Sequence, residues 1–249
     1  MAGFLGSGDV YYNRVLGGVE QGWLRFGNAT KFEIKENAEI KERKSKQKAS
    51  YGQVLDSVAI KQPAEIAIAL DDLDKDNLAL VFLANVVDGA VTGAGATAEV
   101  HSAKLGKAFK TEFRKITSVV VNGPSGTPTY TLGTDYTIDN ADMGLITPLA
   151  TGRISEDELL EVDYTYGTVA GNKVQGGTNS SIKVALLLDG ENFADQSKVV
   201  ANVWESVLTP QSGVDFLADD FTTLELTGTL NTPSGKASPY EVETDVVYS

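Results

Sequence analysis

The chain has 249 residues, with 42% apolar and 22% charged side chains, enough apolar surface to bury a core and too much for a disordered segment. Lys and Arg number 21 against 34 Asp and Glu, a net charge of −13, which argues against a binder that neutralises nucleic-acid phosphates. There is no cysteine and one histidine, His101, which excludes disulfides, thiolate metal sites, cysteine nucleophiles and multi-histidine sites.

The first ten residues, MAGFLGSGDV, lack a basic segment followed by an apolar one, so no signal peptide is expected. No run of about 18 apolar residues predicts a membrane span. Period-2 alternation then dominates the chain. In Thr30–Glu36, Phe32 and Ile34 oppose Lys31, Glu33 and Lys35. The next segment is basic: KERKSKQK, residues 41–48, holds five positive charges and one negative. It has no apolar periodicity and reads as a long exposed loop across Asn37–Asp56. Lys41, Arg43, Lys44, Lys46 and Lys48 form its candidate contact set. Such a run reads either as a solvated mobile loop or, since the rest of the chain is acidic, as an arm that docks on an acidic surface of a neighbouring copy.

Ala64–Leu70 alternates again, with Ile66, Ile68 and Leu70 on one side. Asp74 is placed to cap a helix, Asp76 suits the positive end of its dipole, and Leu78, Val81, Phe82 and Val86 follow helical spacing. The predicted helix runs from about Lys75 to Val86. The Asp71, Asp72, Asp74, Asp76 cluster does not match a calcium loop, because its sixth position is Asn77 and its twelfth Leu83. Gly93-Ala94-Gly95 lacks the third glycine of a dinucleotide fingerprint and reads as a connector. His101 has no nucleophile placed beside it. The acidic triplet Glu156-Asp157-Glu158 reads as a polar turn.

Ile116–Tyr166 alternates short β-prone runs with Gly, Pro and Asn turns, and Leu160, Val162, Tyr164 and Tyr166 share one face. It reads as a small all-β inserted domain over 116–167, leaving 1–115 and 168–249 as a discontinuous main domain. Ile182–Leu188 is a continuous apolar run ending at Asp189-Gly190, as in a central strand. Lys198–Leu208 is apolar on both faces. Thr223–Leu230 and Tyr240–Tyr248 alternate like half-buried strands. Many strands with one helix predict a mainly β sandwich or barrel with the helix on its flank.

Several segments in order resemble the tail tube (major tail) proteins of long-tailed bacteriophages. They are GSGDVYYNRV…GGVEQGWLRFGNATKFEIKENAEI, YGQVLDSVAIKQPAEIAIALDDLDKDNLALVFLAN and LLLDGENFADQSKVVANVWESVLTP, with TYTLGTDYTID…GLITPL…ELLEVDYTYG similar to a β-rich insertion. The resemblance implies the tail-tube fold: two packed β-sheets with one flanking helix, and the insertion on the tube exterior. It implies hexameric rings closed by edge-to-edge strand pairing and stacked into a non-contractile, siphovirus-type tube. The loop 37–56 would reach the next ring. It also implies a virion protein assembled in the host cytoplasm, with tail tip, tape measure and tail terminator proteins as partners. Genome DNA would pass through the tube without specific binding. An acidic lumen would let it slide, and Glu65, Glu225, Glu241 and Glu243, at outward strand positions, are the candidate lining residues.

That reading needs no cofactor and no catalytic residue. The inner tube of a contractile tail or secretion machine is a close alternative. A monomeric β-sandwich binding receptor or carbohydrate would instead need an exposed aromatic platform. The clustered aromatics available are Tyr11, Tyr12, Tyr164 and Tyr166. An enzyme is disfavoured, since no nucleophile motif is present.

Overall fold

The computed structural model describes residues 5–244. The chain divides into two compact units, one formed by residues up to 86 and from 174 onward, the other by 87–173. Both are mainly β. Among the described residues, no helix is long and apolar enough to cross a membrane.

Unit 1 is built on one sheet of eight strands. The strands are β1 (Gly6–Leu16), β2 (Val19–Arg25), β3 (Ala29–Lys44), β4 (Val54–Leu70), β13 (Ile182–Asn192), β14 (Ser197–Pro210), β15 (Leu224–Asn231) and β16 (Tyr240–Thr244). Their order is β2-β1-β13-β14-β15-β4-β3, with β16 also paired to β14. Every pairing in this sheet is antiparallel. Hydrogen bonding therefore runs continuously through these eight strands. The cause is β14, which is long enough to pair with β16 through Val199–Val203 and with β15 through Glu205–Pro210. The register against β13 shifts between those halves, a bulge that bends the strand.

Alternation puts one set of side chains on a common face. Val10 and Tyr12, Ile66, Ile68 and Leu70, Val184 and Leu186, and Leu224 and Leu226 are all buried there. The one α-helix among the described residues, α1 (Lys75–Val81), adds Leu80 and Val81 to this cluster. Asp74 caps it as expected, its side chain accepting the Asn77 amide at 2.6 Å. The helix is shorter than the spacing predicts. Leu83 adopts φ 48°, and the Ala84 amide bonds back to the Ala79 carbonyl at 2.7 Å, so the helix stops. Val86, expected on the helix, lies instead in strand β5 (Asn85–Asp88).

Unit 2 is larger than the expected 116–167 insertion. Its β11 (Leu159–Tyr166) lies between β6 (Ala94–Ser102) and β8 (Ile116–Asn122). The segment expected to be a Gly-rich connector thus supplies an edge strand. Gly93 makes way for close backbone approach: a Cβ there would lie 2.8 Å from the Tyr166 carbonyl oxygen. A second sheet has the order β7 (Phe109–Lys110), β10 (Leu145–Pro148), β9 (Tyr136–Asn140). Ile116, Val121, Tyr136, Ile146, Leu160, Val162 and Tyr164 form a core separate from that of unit 1. Strand β5 pairs with β12 (Asn172–Gln175) where the chain leaves unit 1 and returns.

Candidate self-association surface

The expected loop at 37–56 is largely a hairpin. Strands β3 and β4 pair from Asn37 opposite Gln62 to Lys44 opposite Val54. Lys41, Arg43 and Lys44 are strand residues, and only Lys46 and Lys48 of the basic set lie in the turn. The missed signal is the partner strand: SVAIK, residues 57–61, carries β-branched and apolar residues opposite the charged run. The turn itself is tightly bonded. The Ser45 amide donates to the Gln53 carbonyl at 2.8 Å, the Gly52 amide to the Ser45 carbonyl at 2.9 Å, and the Ser45 and Ser50 hydroxyls lie 2.7 Å apart.

This hairpin is an arm. Strand β15 flanks β4 only from Glu65 to Leu70, so residues 37–62 form a ribbon of two strands without a third. Eight residues of strand reach about 26 Å. The ribbon has no core. Ile40 is 65% exposed, Val58 57%, Leu55 54% and Val54 50%. Ile40 faces the side opposite to Val58 and Ile60, so both faces of the arm carry uncovered apolar side chains. Its cations are exposed too. Lys41 and Lys44 lie 3.7 and 3.3 Å from Glu39 and Glu42, contacts of little energetic weight at such exposure. At the base, the Tyr240 hydroxyl donates to Glu36 at 2.8 Å, and this bond holds its pKa above the usual value.

The four candidate lining carboxylates share one face. Glu225 stands opposite Ala69, and Glu65 opposite Thr229 and Lys35. Glu241 and Glu243 stand opposite Asn202 and Val200 of β14. All four are exposed and lie on the side of the sheet away from the core. The same face is not uniformly acidic. Lys31 pairs with Glu33 at 2.6 Å, and Lys183 with Glu205 at 3.3 Å. The Lys31 bond draws the Glu33 carboxyl below its usual range. Between Lys35, Glu65, Thr209 and Thr227 runs a shallow groove of about 460 Å³. Of the sequence expected to form the last strand, residues 245–248 lie outside the described residues.

Two sheet edges complete the surface. Strand β2 is exposed at every residue, with Trp23 50% and Val19 63% exposed. Strand β3 is the other edge. Unprotected edges offer unpaired N–H and C=O groups to another chain. The four clustered tyrosines do not make a platform: Tyr12 and Tyr164 are buried, and Tyr11 and Tyr166 half-buried. Tyr166 stacks on Phe113 at 4.0 Å.

His101 sits in β6, beside Glu99 at 2.8 Å and stacked on Phe109 at 4.4 Å. The Tyr164 hydroxyl donates to the same Glu99, and burial with that bond pushes the phenol up to about 12. These groups tie β6 to β11 and to β7. The Glu156–Glu158 turn is likewise structural: Glu158 accepts from the Ser155 amide at 2.9 Å and from Tyr130.

No curated protein matches the chain. A family model described as "Protein of unknown function UCP028589" matches residues 3–240, nearly its whole length, and the chain belongs to that family.

Proposed function

We propose that this protein is a structural subunit that self-assembles into stacked rings, the tail tube of a long-tailed bacteriophage, and conducts DNA without chemistry. The observation that carries the reading is the arm. A two-stranded ribbon is marginally stable alone in water, and three or more strands or a packed partner are needed to hold it. Here the ribbon is long, basic and apolar on both faces, in a chain of net charge −13. A second copy offers both the cover and the opposite charge.

The sheet edges support the same reading. Strand β2 of one copy and strand β3 of the next are different surfaces, so their contact is head-to-tail. Such contacts close into rings or run on as filaments. Closure would use up both edges. The arm would then serve contacts between rings, as the tail tube resemblance implies. The outward face bearing Glu65, Glu225, Glu241 and Glu243 is the proposed lumen. Its interleaved lysines would moderate repulsion between neighbouring copies, while the excess carboxylates keep phosphate from binding.

The test is light scattering over a concentration series of the full chain and of Lys44→Glu/Lys46→Glu/Lys48→Glu. The parent chain grows beyond its 26.5 kDa mass. The variant keeps its circular dichroism spectrum but fails to form stacked species. Equal growth of both proteins contradicts the role given to the arm.

A further inference from the structure

The connection between β14 and β15, residues 211–223, is the longest irregular segment of unit 1 among the described residues. Loops of this length without secondary structure are uncommon in compact domains unless they have work to do. Its sequence, QSGVDFLADDFTT, carries Asp215, Asp219 and Asp220 and no cation. It also presents the most exposed large apolar side chains among the described residues, Leu217 at 90% and Phe221 at 94%, with Phe216 at 69%.

The loop is held in shape rather than loose. Val214 packs on the unit 1 core, and the Phe216 ring lies 6.3 Å from that of Phe82. The Leu217 amide donates to Asp215 at 2.9 Å, the Thr222 hydroxyl to the Asp215 carbonyl at 3.2 Å, and the Glu225 amide to the Ser212 hydroxyl at 2.9 Å. Leu217 and Phe221 project from this anchored frame into solvent. Holding them there loses the hydrophobic contribution of two large side chains unless something covers them.

The arm has the matching properties. Residues 37–62 hold six basic and three acidic side chains, a net of +3, and the loop has a net of −3. The arm displays Ile40, Tyr51, Val54, Leu55 and Val58; the loop displays Phe216, Leu217 and Phe221. Among the described residues, Arg43, Lys46 and Lys48 make no ion pair with a carboxylate. Opposite charge set among exposed apolar groups favours one register of contact over others. We infer that the loop 211–223 of one copy is the docking surface for the arm of another copy. The inference rests on the self-assembly reading and names the surface that the arm meets.

The chain has no cysteine, so single thiols can be placed without background. Lys48→Cys and Asp219→Cys, each in an exposed turn, are made as separate proteins, mixed, and treated with a short bismaleimide. Circular dichroism verifies that each variant folds. Product joining Cys from the two different variants is expected in the mixture, mapped by mass spectrometry, and absent below the concentration where particles form. A second experiment needs no thiol. Lys46→Glu/Lys48→Glu alone and Asp219→Lys/Asp220→Lys alone each weaken assembly, and the chain carrying both reversals recovers it. Particles that form with no cross-linked product and no recovery by the double reversal overturn the loop contact and leave self-assembly standing. Monomers with no product at every concentration overturn both.

Discussion

Asp135 is a tightly held carboxylate. Its side chain is fully buried and accepts from the Thr131 and Arg153 amides, each at 2.8 Å, and from the Arg153 guanidinium at 2.8 Å. These bonds hold its pKa down to about 2. An unfolded Asp titrates near 3.9, so the stabilisation is complete above about pH 4 and is lost as pH falls toward 2. Asp135→Asn should lower the melting temperature of unit 2 at pH 7. The gap between variant and parent should shrink as pH drops through that window; a constant gap would refute the assignment. Little of this could be read in the sequence. TYTLGTDYTID reads as strands and turns, but nothing in it joins Asp135 to Arg153, which lies beyond β10. By contrast Asp74 was legible, because capping is a local event and the Asn77 amide is three residues away.

At the scale of elements, alternation identifies the strands of unit 1 wherever one face is buried. Phe32 and Ile34, Ile66 to Leu70, and Leu224 to Leu230 all point to the core as their spacing demands. It fails on the arm, because neither face there is buried and the apolar residues answer to no core. It also fails at the end of α1, where Val86 keeps helical spacing while Leu83 turns the chain. Gly228 shows another limit. In the sequence it interrupts a strand pattern; in the fold it stands opposite Leu208. A Cβ there would come within 2.4 Å of the Ser206 hydroxyl and 2.9 Å of the Val207 carbonyl oxygen. Gly228→Ala should therefore cost about 1–3 kcal/mol, the usual range for overpacking a buried site. Chemical denaturation measures it, and an unchanged midpoint would show that β14 and β15 separate freely. On the arm the sign reverses. Covering one of its large apolar side chains is worth about 1.5–3 kcal/mol, available only on association.

The whole molecule is two β units with separate cores, and the boundary between them is set by pairing. A sequence segment with strand-like runs and Gly-rich flanks looks like an insertion starting at 116, yet β6 starts at Ala94 and needs β11. Joining Val86 to Val174 through a short linker should leave unit 1 folded with its cooperative transition intact. Removing 117–167 instead strips β6 of its partner and should yield aggregation-prone protein. If both deletions behave alike in thermal melts, the boundary at 87 and 173 is misplaced. Self-assembly connects these features, since the arm, the open edges and the loop 211–223 all leave apolar or hydrogen-bonding surface without a partner within one copy. Negative-stain electron microscopy of the full chain across a concentration series tests it most directly. Rings are expected, and at higher concentration hollow tubes of stacked rings. Separate particles of a single 26.5 kDa chain at every concentration would contradict it.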